Sequence, residues 1–537
     1  MKFDDVLPEV NGFGPFQFRL ILALMIPRLI LPFQFLLNNF IAFIPSHHCN
    51  VSALDDGGIF RGLSSEERLI VSIPVQDDGS LSSCQMFAEP QYHLLLNSSN
   101  TTALPTVLCQ DGWVFDASTM KSTLATEWDL VCERKRVNKT TATIFFLGVM
   151  LGAAVLGYLS DRFGRKSMLL VSYLITTIFG FGSALSSNYA MFAVMRFFAG
   201  FGSSGVNVIS VVLCIEWADI KRRSSVLILL SMDWSLGSSL LGALAYLVND
   251  WRYLIAASTS PLLPGIIYWW WLPESSRWLI SQGKVNRAYF YLNKCAKVNR
   301  REQFMNDLKP EGLSKIIVVE KEKRKYSVLD LLRTPRMRRL TVICGAVWFG
   351  VASSYYGISL NVAGFGGNIY VTQLIYGFSE IPAKVFCFFS LNKLGRKFNQ
   401  IGGLLLTGLC LFCNMLIPPD MAACRTAVAA LGKMFSEGAF TVLYLYTTEL
   451  YPTVLRQNGF GCCSFLCRLG VAVSPLVALL EEVWVGLPRL TFSIMALGAG
   501  LLTMLLPETN NAHLPETIED VERAKSSEST SNKDAPP

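Results

Sequence analysis

Four of the charged residues inside the long apolar stretches of this 537-residue chain stand out: Arg28, Asp233, Lys384 and Arg468. An ionised side chain costs on the order of 3 kcal/mol when its helix inserts into a bilayer, so each of the four is a candidate functional residue. A guanidinium or ammonium group in a water-filled space between helices could bind a carboxylate or a phosphate. The chemistry that these residues suggest is therefore recognition of an organic ion within a membrane.

Arg468 is the strongest candidate of the four. It follows Arg456 by about a dozen residues, which places it nearly halfway along its predicted helix. At that depth the side chain cannot easily reach the membrane surface, so a central cavity is its natural environment. There the guanidinium could hold a carboxylate or phosphate with two parallel hydrogen bonds. A structural ion pair is the alternative, although the neighbouring sequence contains no obvious acidic partner.

The other three charges allow more than one interpretation. Lys384 follows Pro382, which frees backbone carbonyl groups as in helices that line a cavity. Glu380, one turn earlier, could instead neutralise Lys384. Arg28 could extend to the membrane surface, whereas Asp233 could pair with a basic residue or relay a proton. The cavity-facing role is favoured for Lys384, which is therefore a candidate substrate-binding residue. The sequence does not choose between the roles of Arg28 or of Asp233.

Aromatic and amide side chains complete the candidate binding site. A tyrosine combines a flat apolar body with a hydroxyl donor and suits aromatic or heterocyclic anions. Packing against lipid or the protein core is nevertheless the common fate of a single aromatic residue in a membrane helix. The candidates are Trp348, Tyr355, Tyr356, Phe440 and Tyr444, with Asn39 as a further polar residue.

The elements that must position these residues are membrane helices. The chain is 51% hydrophobic and only 16% charged, with a mean hydropathy of +0.39. Its apolar blocks reach the roughly 20 residues that span a bilayer, and only helices satisfy their own backbone there. Twelve blocks are predicted to be helices: Leu20–Ile44, Thr141–Leu159, Met168–Leu185, Ala190–Ile215, Val226–Val248, Tyr253–Leu272, Leu340–Leu360, Tyr370–Leu391, Ile401–Ile417, Ala423–Tyr446, Gly459–Leu480 and Leu487–Leu506.

Charge placement predicts the topology. Residues 273–339 contain 17 Lys/Arg against 7 Asp/Glu, whereas residues 45–140 contain 7 against 12, so the first segment is predicted to be cytoplasmic and the second extracellular. Both termini are then cytoplasmic. The predicted organisation is a cytoplasmic N-terminus (1–19), a first helical half (20–248) that includes the 45–140 loop, a sixth helix (249–272), a cytoplasmic linker (273–339), a second helical half (340–506) and a disordered tail (507–537).

The 45–140 loop has features of an extracellular segment. It contains an even number of cysteines, which suggests two disulfides with three possible pairings. It also contains glycosylation sequons, of the form Asn-x-Ser/Thr. The cysteines are Cys49, Cys84, Cys109 and Cys132, and the predicted glycosylation sites are Asn50, Asn97 and Asn100.

Three charged landmarks recur in the two halves at nearly constant offsets of 231, 233 and 234 residues. Asp161-Arg162-Phe163-Gly164-Arg165-Lys166 recurs as Asn392-Lys393-Leu394-Gly395-Arg396-Lys397, and Pro273-Glu274-Ser275 as Pro507-Glu508-Thr509. The third landmark is an acid followed by an arginine: Glu216 and Arg223 recur as Glu449 and Arg456. Such a pattern indicates duplication of a six-helix unit, with both copies in the same orientation. The predicted latch that joins the halves on the cytoplasmic side comprises Asp161, Arg162, Arg165, Glu216, Arg223, Lys393, Arg396, Glu449 and Arg456.

These motifs resemble the major facilitator superfamily. Thr126-Glu127-Trp128-Asp129-Leu130-Val131-Cys132, Tyr355-Tyr356-Gly357 and Glu449-Leu450-Tyr451-Pro452-Thr453-Val454-Leu455-Arg456-Gln457 resemble the organic ion transporters of solute carrier family 22 within it. The resemblance covers essentially the whole chain. It implies that cation-transporting members have an acid at the position of Arg468 and anion-transporting members a base. It also implies a basic residue at Lys384 and cavity positions for Tyr355, Tyr356 and Phe440.

We therefore expect an all-α membrane protein with the twelve-helix major facilitator fold, built from two parallel six-helix repeats. The expected function is sodium-independent transport of small organic anions by alternating access, through facilitated diffusion or anion exchange. The resemblance implies carboxylates, nucleotides, prostaglandin-like compounds and drugs as substrates, and a plasma membrane location, with the basolateral face of epithelia as one alternative. An organic cation or zwitterion transporter is the alternative function.

Other classes of protein fit the sequence less well. The chain has only four histidines, all outside the predicted helices, and has no P-loop motif for ATP. We therefore expect neither an enzyme nor an ATP-driven pump, no cofactor, no bound metal and no nucleic acid partner. The expected partners are the small organic anion and the lipid bilayer, and the oligomeric state is not predicted.

Overall fold

A computed structural model describes residues 3–55, 58–76, 79–95, 105–219, 222–303, 329–365, 367–418, 420–452, 454–510, 515 and 518–523 of the chain. The predicted glycosylation sites Asn97 and Asn100 lie outside the described residues. So do residues 304–328 of the predicted linker and most of the predicted tail.

Twelve straight or broken helices occupy the positions of the twelve predicted blocks. Ten of them are long and apolar enough to cross a membrane, within the described residues; α6 and α12 are shorter. The helices are α1 (Pro15–Arg28, Ile30–Leu36 and Asn38–Ile41), α2 (Lys135–Phe163), α3 (Arg165–Ala184), α4 (Tyr189–Glu216), α5 (Arg223–Leu247), α6 (Trp251–Thr259 and Leu262–Tyr268), α7 (Pro335–Ser359), α8 (Ile369–Leu394), α9 (Arg396–Leu416), α10 (Ala422–Leu450), α11 (Arg456–Val477) and α12 (Leu487–Thr503).

One interruption of α1 and the interruption of α6 lie beside prolines. In α1 the break at Leu29 lies between Pro27 and Pro32, and in α6 the break adjoins Pro261. The second break of α1, at Leu37, has no proline next to it. A proline lacks the backbone N–H that continues a helix and displaces the carbonyl of the preceding turn. Most of the other helices extend past their apolar blocks, since polar residues can continue a helix where it leaves the bilayer.

Shorter elements fill the connections. The strands are β1 (His47–Cys49), β2 (Gln85–Phe87), β3 (Thr106–Leu108) and β4 (Trp113–Phe115). The short helices are Phe3–Glu9, Ile59–Gly62, Ser65–Ser72, Leu124–Trp128, Ser276–Ser281, Val285–Val298, Asp330–Arg333 and Ile518–Arg523, and the 3-10 turns are Val51–Leu54, Tyr92–Leu95, Cys132–Arg134, Trp269–Trp271, Ala363–Phe365 and Ala478–Glu482.

The connection between α1 and α2 forms a compact unit of its own, comprising residues 40–139 and 248–254. In it β1 pairs with β4 and β2 with β3, both antiparallel. Disulfides join Cys49 to Cys109 and Cys84 to Cys132. This is one of the three pairings that the sequence allowed for the four loop cysteines. Trp251 packs edge-on against Trp128 within this unit, with 5.3 Å between ring centroids. The helices lie mainly in the second unit, residues 1–39, 140–247 and 255–537.

The turn before α3 and the turn before α9 are built in the same way. Gly164 and Gly395 both have positive φ, of +103° and +81°, in a backbone region that is essentially restricted to glycine. Glu274 accepts hydrogen bonds from the backbone N–H groups of Arg165 and Lys166, at 3.0 and 3.1 Å, and so caps α3. Glu508 caps α9 by accepting from the corresponding N–H groups of Arg396 and Lys397, both at 3.0 Å.

The two capping carboxyl groups differ in their surroundings. Burial raises the pKa of Glu274 in spite of its backbone donors. Burial acts in the same direction on the more exposed Glu508, but four backbone N–H donors outweigh it and lower the pKa of that carboxyl. The repeat thus preserves the cap geometry while the exposure of the cap changes.

The predicted latch residues form ion pairs within each half. Arg165 binds Glu216 through two parallel hydrogen bonds of 3.2 and 3.0 Å, and also pairs with Asp161 at 2.8 Å. Arg396 binds Glu449 in the same bidentate manner, at 3.0 and 3.1 Å. These pairs fasten the turn before α3 to the end of α4, and the turn before α9 to the end of α10. The sequence analysis predicted that these pairs join the two halves, and that prediction is wrong. Glu216 and Glu449 each pair with the arginine of their own half.

The remaining predicted latch residues lie at the same ends of their helices. Arg162 stacks over its neighbour Phe163, with 5.5 Å between the guanidinium carbon and the ring centroid. Lys393 lies exposed in the last turn of α8. Arg223 and Arg456 are the first residues of α5 and α11.

A buried asparagine joins the N-terminus to the linker. Asn299 Nδ2 donates to the carbonyl oxygens of Val10 and Asn11, at 3.0 and 2.9 Å, and its Oδ1 accepts from the Phe16 N–H at 2.9 Å. Gln17 completes the contact at 3.1 Å. The beginning of α1 is thereby fixed against the helix Val285–Val298.

We predict that Gly164→Ala and Gly395→Ala each destabilise the folded protein by about 1–3 kcal/mol, because alanine is strained at positive φ. The added Cβ would also lie 2.6 Å from the capping carboxylate of Glu274 or Glu508. Thermal unfolding of the detergent-solubilised protein measures the loss as a lower melting temperature. Gly402→Ala in α9 is the matched control, since nothing lies within 4 Å of its added Cβ and its helix should gain stability. Equal melting temperatures for all three variants would contradict the prediction.

Candidate functional site

In the part of the chain that the structure describes, six of the charged side chains buried in the helices form three ion pairs. The pairs are Arg28–Asp233, Glu380–Lys433 and Lys384–Glu437. Burial of an ion is costly unless a counter-ion and further hydrogen bonds compensate for the lost water, and each of these pairs has both. The buried charges of the site are thereby largely neutralised.

The first pair connects helices of the first half. Arg28 Nε in α1 donates to Asp233 Oδ2 in α5 at 2.5 Å, and Nη1 donates to Ser210 Oγ in α4 at 2.7 Å. Both side chains are almost completely buried. Arg28 therefore does not extend to the membrane surface, and the ion-pair interpretation of Asp233 is the one that the structure shows.

The second pair connects α8 to α10. Lys433 Nζ lies 3.0 Å from Glu380 Oε1, and the same oxygen accepts a hydrogen bond from the Tyr355 hydroxyl at 2.7 Å. Lys433 Nζ also donates to Ser359 Oγ at 2.5 Å and lies 3.2 Å from the centroid of the Tyr355 ring. The charge of Lys433 is thus surrounded by a carboxylate, a hydroxyl group and an aromatic face.

The third pair uses the remaining charges of the same two helices. Lys384 Nζ lies 3.3 Å from Glu437 Oε1 and donates to the Ser231 carbonyl at 2.8 Å and to Ser235 Oγ at 2.7 Å. These three contacts account for all three N–H donors of the ammonium group. The sequence analysis predicted that Lys384 faces the cavity and binds substrate, with pairing to Glu380 as the alternative. The structure corrects both, because Lys384 is buried and paired with Glu437 on α10, and Glu380 pairs with Lys433.

Sequence reasoning missed Lys433 and Glu437. Both stand inside the predicted block Ala423–Tyr446, four residues apart, in the reverse order of Glu380 and Lys384. Residues four apart lie on one face of a helix. The sequence contained a signal for this pairing. One predicted membrane helix has an acid followed by a base and another has a base followed by an acid, at the same spacing, which indicates that these helices face each other.

Arg468 has different surroundings from the other buried charges. It is half-buried in α11 and donates to the carbonyl oxygen of Ser464 at 3.2 Å and to Ser464 Oγ, one turn earlier. No carboxylate lies within 4 Å of it among the described residues. The structural ion pair considered from the sequence is therefore not formed in the described part of the chain.

Arg196 in α4 is a further intramembrane arginine, and its burial makes it unsuitable for binding an ion. It is completely buried, donates to Gln34 Oε1 and stacks on Phe145, with 4.5 Å between the guanidinium carbon and the ring centroid. An ion could not reach it without unpacking α1 and α4. Arg468 is more accessible, because its side chain is only half-buried.

The five predicted aromatic residues form one cluster in the second half. Centroid distances are 4.8 Å for Trp348–Tyr444, 5.4 Å for Tyr355–Phe440, 5.1 Å for Tyr355–Tyr356 and 5.7 Å for Phe440–Tyr444. Trp348 itself is buried, and its indole N–H donates to Thr447 Oγ1 at 2.8 Å. Tyr444 is 46% exposed and presents the accessible side of the cluster.

Three aromatic residues of the first half meet this cluster, and the sequence analysis did not single them out. Trp234 donates its indole N–H to the Tyr355 hydroxyl at 2.8 Å, Phe146 lies 5.5 Å from Tyr356, and Phe35 lies 5.6 Å from Trp234 between ring centroids. The two halves therefore touch through aromatic rings at the level of the charged pairs.

Asn39 lies at the end of α1 that leads into the 40–139 segment, which we call the loop side. Its Nδ2 donates to the Ser359 carbonyl at 2.7 Å and to Gln373 Oε1 at 3.1 Å, and Gln373 donates to Ser238 Oγ at 3.0 Å. These hydrogen bonds join the first half to α7 and α8 of the second. In this structure Asn39 thus takes part in closing the loop side.

One group of possible metal ligands occurs among the described residues. His47, Cys84 and Cys132 lie close enough to share an ion. The two sulfurs already form the Cys84–Cys132 disulfide, which removes the thiolates that a metal would need. The chemistry of this cluster therefore does not fit a metal site.

Comparison with known proteins identifies the class of the chain. The model of the family described as "Sugar (and other) transporter" matches residues 92–520. Among solved structures, the inward-open xylose transporter XylE from E. coli superimposes with a TM-score of 0.59 at 17% identity, covering 95% of this chain and 99% of that one. A sugar-bound structure of XylE, described as a major facilitator superfamily proton:xylose symporter, gives 0.54 at 20% identity over 75% of this chain and 93% of that one. The chain thus has the major facilitator fold.

Curated relatives narrow the family. Solute carrier family 22 member 7 of Bos taurus is 44% identical over 548 residues, covering 100% of this chain and 99% of the relative, and the Homo sapiens protein is 44% identical over 546 residues with the same coverage. Solute carrier family 22 member 6 of Oryctolagus cuniculus is 36% identical over 526 residues, covering 97% and 94%. The chain belongs to solute carrier family 22, a family of multi-pass membrane transporters of small organic ions.

We predict that the buried pairs behave as the structure joins them. Glu380→Gln or Glu437→Gln alone should strongly lower the amount of folded protein, because each leaves a buried ammonium unpaired, at a cost of about 3–5 kcal/mol. Adding Lys433→Met to Glu380→Gln, or Lys384→Met to Glu437→Gln, should recover folding. Size-exclusion chromatography of a fluorescent fusion measures the folded fraction.

The mismatched double variant is the control. Glu380→Gln with Lys384→Met removes one acid and one base of the same helix but leaves Lys433 and Glu437 without their observed partners. It should remain as poorly folded as Glu380→Gln alone. Recovery in this variant would instead support pairing along α8, as the sequence suggested.

Proposed function

We propose that this chain transports organic anions across a membrane by alternating access, with Arg468 as the anion-binding residue. The observation that supports this most is the accessible guanidinium of Arg468, which lacks a carboxylate partner among the described residues while six neighbouring charges are paired. An anion would supply the missing counter-charge, and a carboxylate or phosphate would bind in bidentate geometry. An organic cation would instead meet uncompensated positive charge at this position.

The aromatic cluster supports a substrate with a flat ring. Tyr444 is exposed on α10, and Phe440 and Tyr355 extend the same aromatic surface. A planar anion could place its charge on Arg468 and its ring on these faces. Aromatic or heterocyclic carboxylates and nucleotides fit this arrangement, as do prostaglandin-like compounds and drugs with an acidic group.

The contacts between the halves support an alternating-access mechanism. Asn39–Ser359, Gln373–Ser238 and Trp234–Tyr355 hydrogen bonds join them from the loop side to the middle of the helices. We interpret this arrangement as a state of the transporter that is closed on the loop side. The distribution of charged residues predicts that this side faces the exterior. Opening it would require these neutral hydrogen bonds to break, together with the bonds from Lys384 to Ser231 and Ser235 and from Ser235 to Glu380, while the ion pairs within each half stay intact.

The driving force in this proposal is the gradient of the anion or of a counter-anion, without sodium. The location proposed is the plasma membrane, with both termini cytoplasmic, because the basic linker 273–339 and the acidic loop 45–140 lie at opposite ends of the helices in the predicted topology.

We predict that Arg468→Asp abolishes uptake of labelled orotate or cyclic GMP, because the carboxylate reverses the charge that binds the anion. Cells expressing each variant at equal surface levels provide the measurement, and tetraethylammonium uptake tests whether the reversed charge admits a cation. Arg468→Lys should retain partial anion uptake, since it keeps the charge but loses the bidentate geometry. Arg339→Gln is the control, because this arginine lies exposed in the first turns of α7. Unchanged anion uptake by a well-expressed Arg468→Asp protein would overturn the proposed role.

We predict that Phe440→Ala weakens the binding of anions that contain a ring by about tenfold, since a lost aromatic contact removes roughly 0.5–1.5 kcal/mol beyond the buried area. The measurement compares the KM for orotate with that for a small aliphatic dicarboxylate. Only the first should rise substantially. Phe412→Ala is the control, because this ring is exposed on α9. An equal rise in both KM values for Phe440→Ala would show that the ring does not contact the substrate.

A further inference from the structure

An arginine in the first turns of α10 is buried without a partner for its charge. Arg425 is only 8% exposed, and its Nε is completely buried with no hydrogen-bond acceptor. Among the described residues, its guanidinium nitrogens have no carboxylate, no other acceptor and no aromatic face as a partner. Because an arginine side chain stays protonated in proteins, this charge persists and needs a counter-ion.

The other deeply buried arginines in the helices are compensated by the protein itself. Arg28 has the carboxylate of Asp233 within hydrogen-bond distance. Arg196 donates to the side chain and the carbonyl of Gln34 and stacks on an aromatic ring. Arg425 has neither kind of compensation in the part of the chain that the structure describes. Its burial therefore indicates a ligand that supplies the missing negative charge.

Arg425 also stands at the positive end of a long helix. α10 has 29 residues, and its first turn contains no acidic residue and no side-chain cap. The first intrahelical hydrogen bond runs from the Arg425 N–H to the Met421 carbonyl, at 3.0 Å. The three preceding N–H groups, those of Ala422, Ala423 and Cys424, therefore have no acceptor within the helix. Long helical side chains lean toward the N-terminus, which directs the guanidinium to these N–H groups. The helix dipole and the arginine thus favour an anion at the same place.

Neighbouring segments enclose this place and add a further donor. Thr426 Oγ1 is buried and has no hydrogen-bond partner. A Cβ at Gly367 would lie only 2.8 Å from that oxygen, so the connection between α7 and α8 packs directly on the first turns of α10. Arg489 of α12 donates to a carbonyl of the same connection at 2.8 Å, and Asn414 of α9 donates to the Arg425 carbonyl at 2.6 Å. The recess is therefore bordered by α9 and by the α7–α8 connection, to which α12 is also bonded.

We propose that Arg425 and the first turn of α10 form a binding site for a small monovalent inorganic anion, with chloride as the representative ligand. One unpaired guanidinium balances one negative charge. The small exposed fraction of Arg425 excludes a bulky organic anion, because such a ligand could reach the guanidinium only by unpacking the helices. The first turn of α10 lies on the loop side, which is predicted to face the exterior, so the ion enters from outside.

This site is separate from the proposed substrate site. Phe440, which is proposed to contact the substrate ring, follows Arg425 on the same helix by 440 − 425 = 15 residues. At the helical rise of about 1.5 Å per residue, the two residues lie about 22 Å apart along α10. The anion at Arg425 therefore neutralises the end of the second half and does not take the place of the transported substrate. The inference is independent of the proposed transport of organic anions.

The experiment measures the melting temperature of the purified full-length protein in an uncharged detergent. Chloride replaces gluconate at constant ionic strength, and gluconate is too bulky for the recess. The wild type should melt at a temperature that rises with chloride and reaches a plateau, by about 2 °C or more, because a ligand that binds only the folded state stabilises it. Acetate in place of chloride distinguishes a carboxylate ligand from an inorganic one, and should raise the melting temperature less.

Arg425→Gln should show no rise with chloride. In gluconate alone it should melt at a higher temperature than the wild type, because the unpaired buried charge has been removed. Arg468→Gln is the matched control, since it removes the other arginine that lacks a carboxylate, on α11, and it should keep the chloride-dependent rise. Broadening of the chloride NMR line by the wild type and by Arg468→Gln, but not by Arg425→Gln, measures the binding directly.

Equal melting temperatures of the wild type in chloride and gluconate would overturn the proposal, as would an equal rise for Arg425→Gln. A rise that Arg468→Gln loses and Arg425→Gln keeps would assign the ion to the central site and overturn it too, and so would a rise with acetate but not with chloride. If Arg425→Gln folds poorly, Arg425→Lys gives the same test. With fewer donors it should need several-fold more chloride for half of the rise, and an unchanged requirement would count against the site.

Discussion

The bilayer's intolerance of unpaired charge governs this structure. Among the described residues, three acids and three bases buried in the helices pair with one another within 3.3 Å. Without this pairing each ion would cost several kcal/mol, which is comparable with the whole free energy of folding of a typical domain. Arg196, which is also buried, contacts Gln34 and the face of Phe145 in place of a carboxylate. Arg468 differs from all of these, because it is half-buried and no carboxylate lies within 4 Å of it among the described residues. In the proposed function, an anion would balance this charge.

Each of these ion pairs lies within one half. Arg28–Asp233 lies within the first half, and Glu380–Lys433 and Lys384–Glu437 lie within the second. The contacts across the halves include neutral hydrogen bonds such as Trp234–Tyr355 and Asn39–Ser359. They also include bonds to charged groups, since Lys384 donates to Ser231 and Ser235, and Ser235 donates to Glu380. Separation of the halves would keep each ion pair together but would remove these hydroxyl and carbonyl partners from Lys384 and Glu380.

The charged turns are completed within each half. Gly164 and Gly395 allow the close approach of Glu274 and Glu508, which cap α3 and α9, and the Arg165–Glu216 and Arg396–Glu449 pairs fasten these turns to α4 and α10. The duplicated motif therefore stabilises each half separately, and these pairs do not cross between the copies.

Much of the architecture was predictable from the sequence, because its signals are local. Apolar length determines the helices, and their number, order and duplication follow from blocks and motifs read along the chain. The depth of Arg468 in its helix and the aromatic residues of α7 and α10 were likewise evident from position alone. The break of α1 at Leu29 and the break of α6 lie beside Pro27, Pro32 and Pro261.

Partnership between distant residues was decided only by the tertiary structure. The sequence favoured a cavity-facing Lys384, with Glu380 as its alternative partner, yet the packing of α8 against α10 gives Lys384 and Glu380 partners on another helix, Glu437 and Lys433. It also suggested a latch between the halves, whereas Glu216 and Glu449 lie nearest the arginines of their own half. The physical reason is that a charge pairs with whatever counter-charge folding brings within a few ångströms, and in a helical bundle that neighbour is set by helix packing rather than by separation along the chain. The sequence by itself therefore determined the helices, the repeat and the isolated arginine, and the fold determined which charges are neutralised.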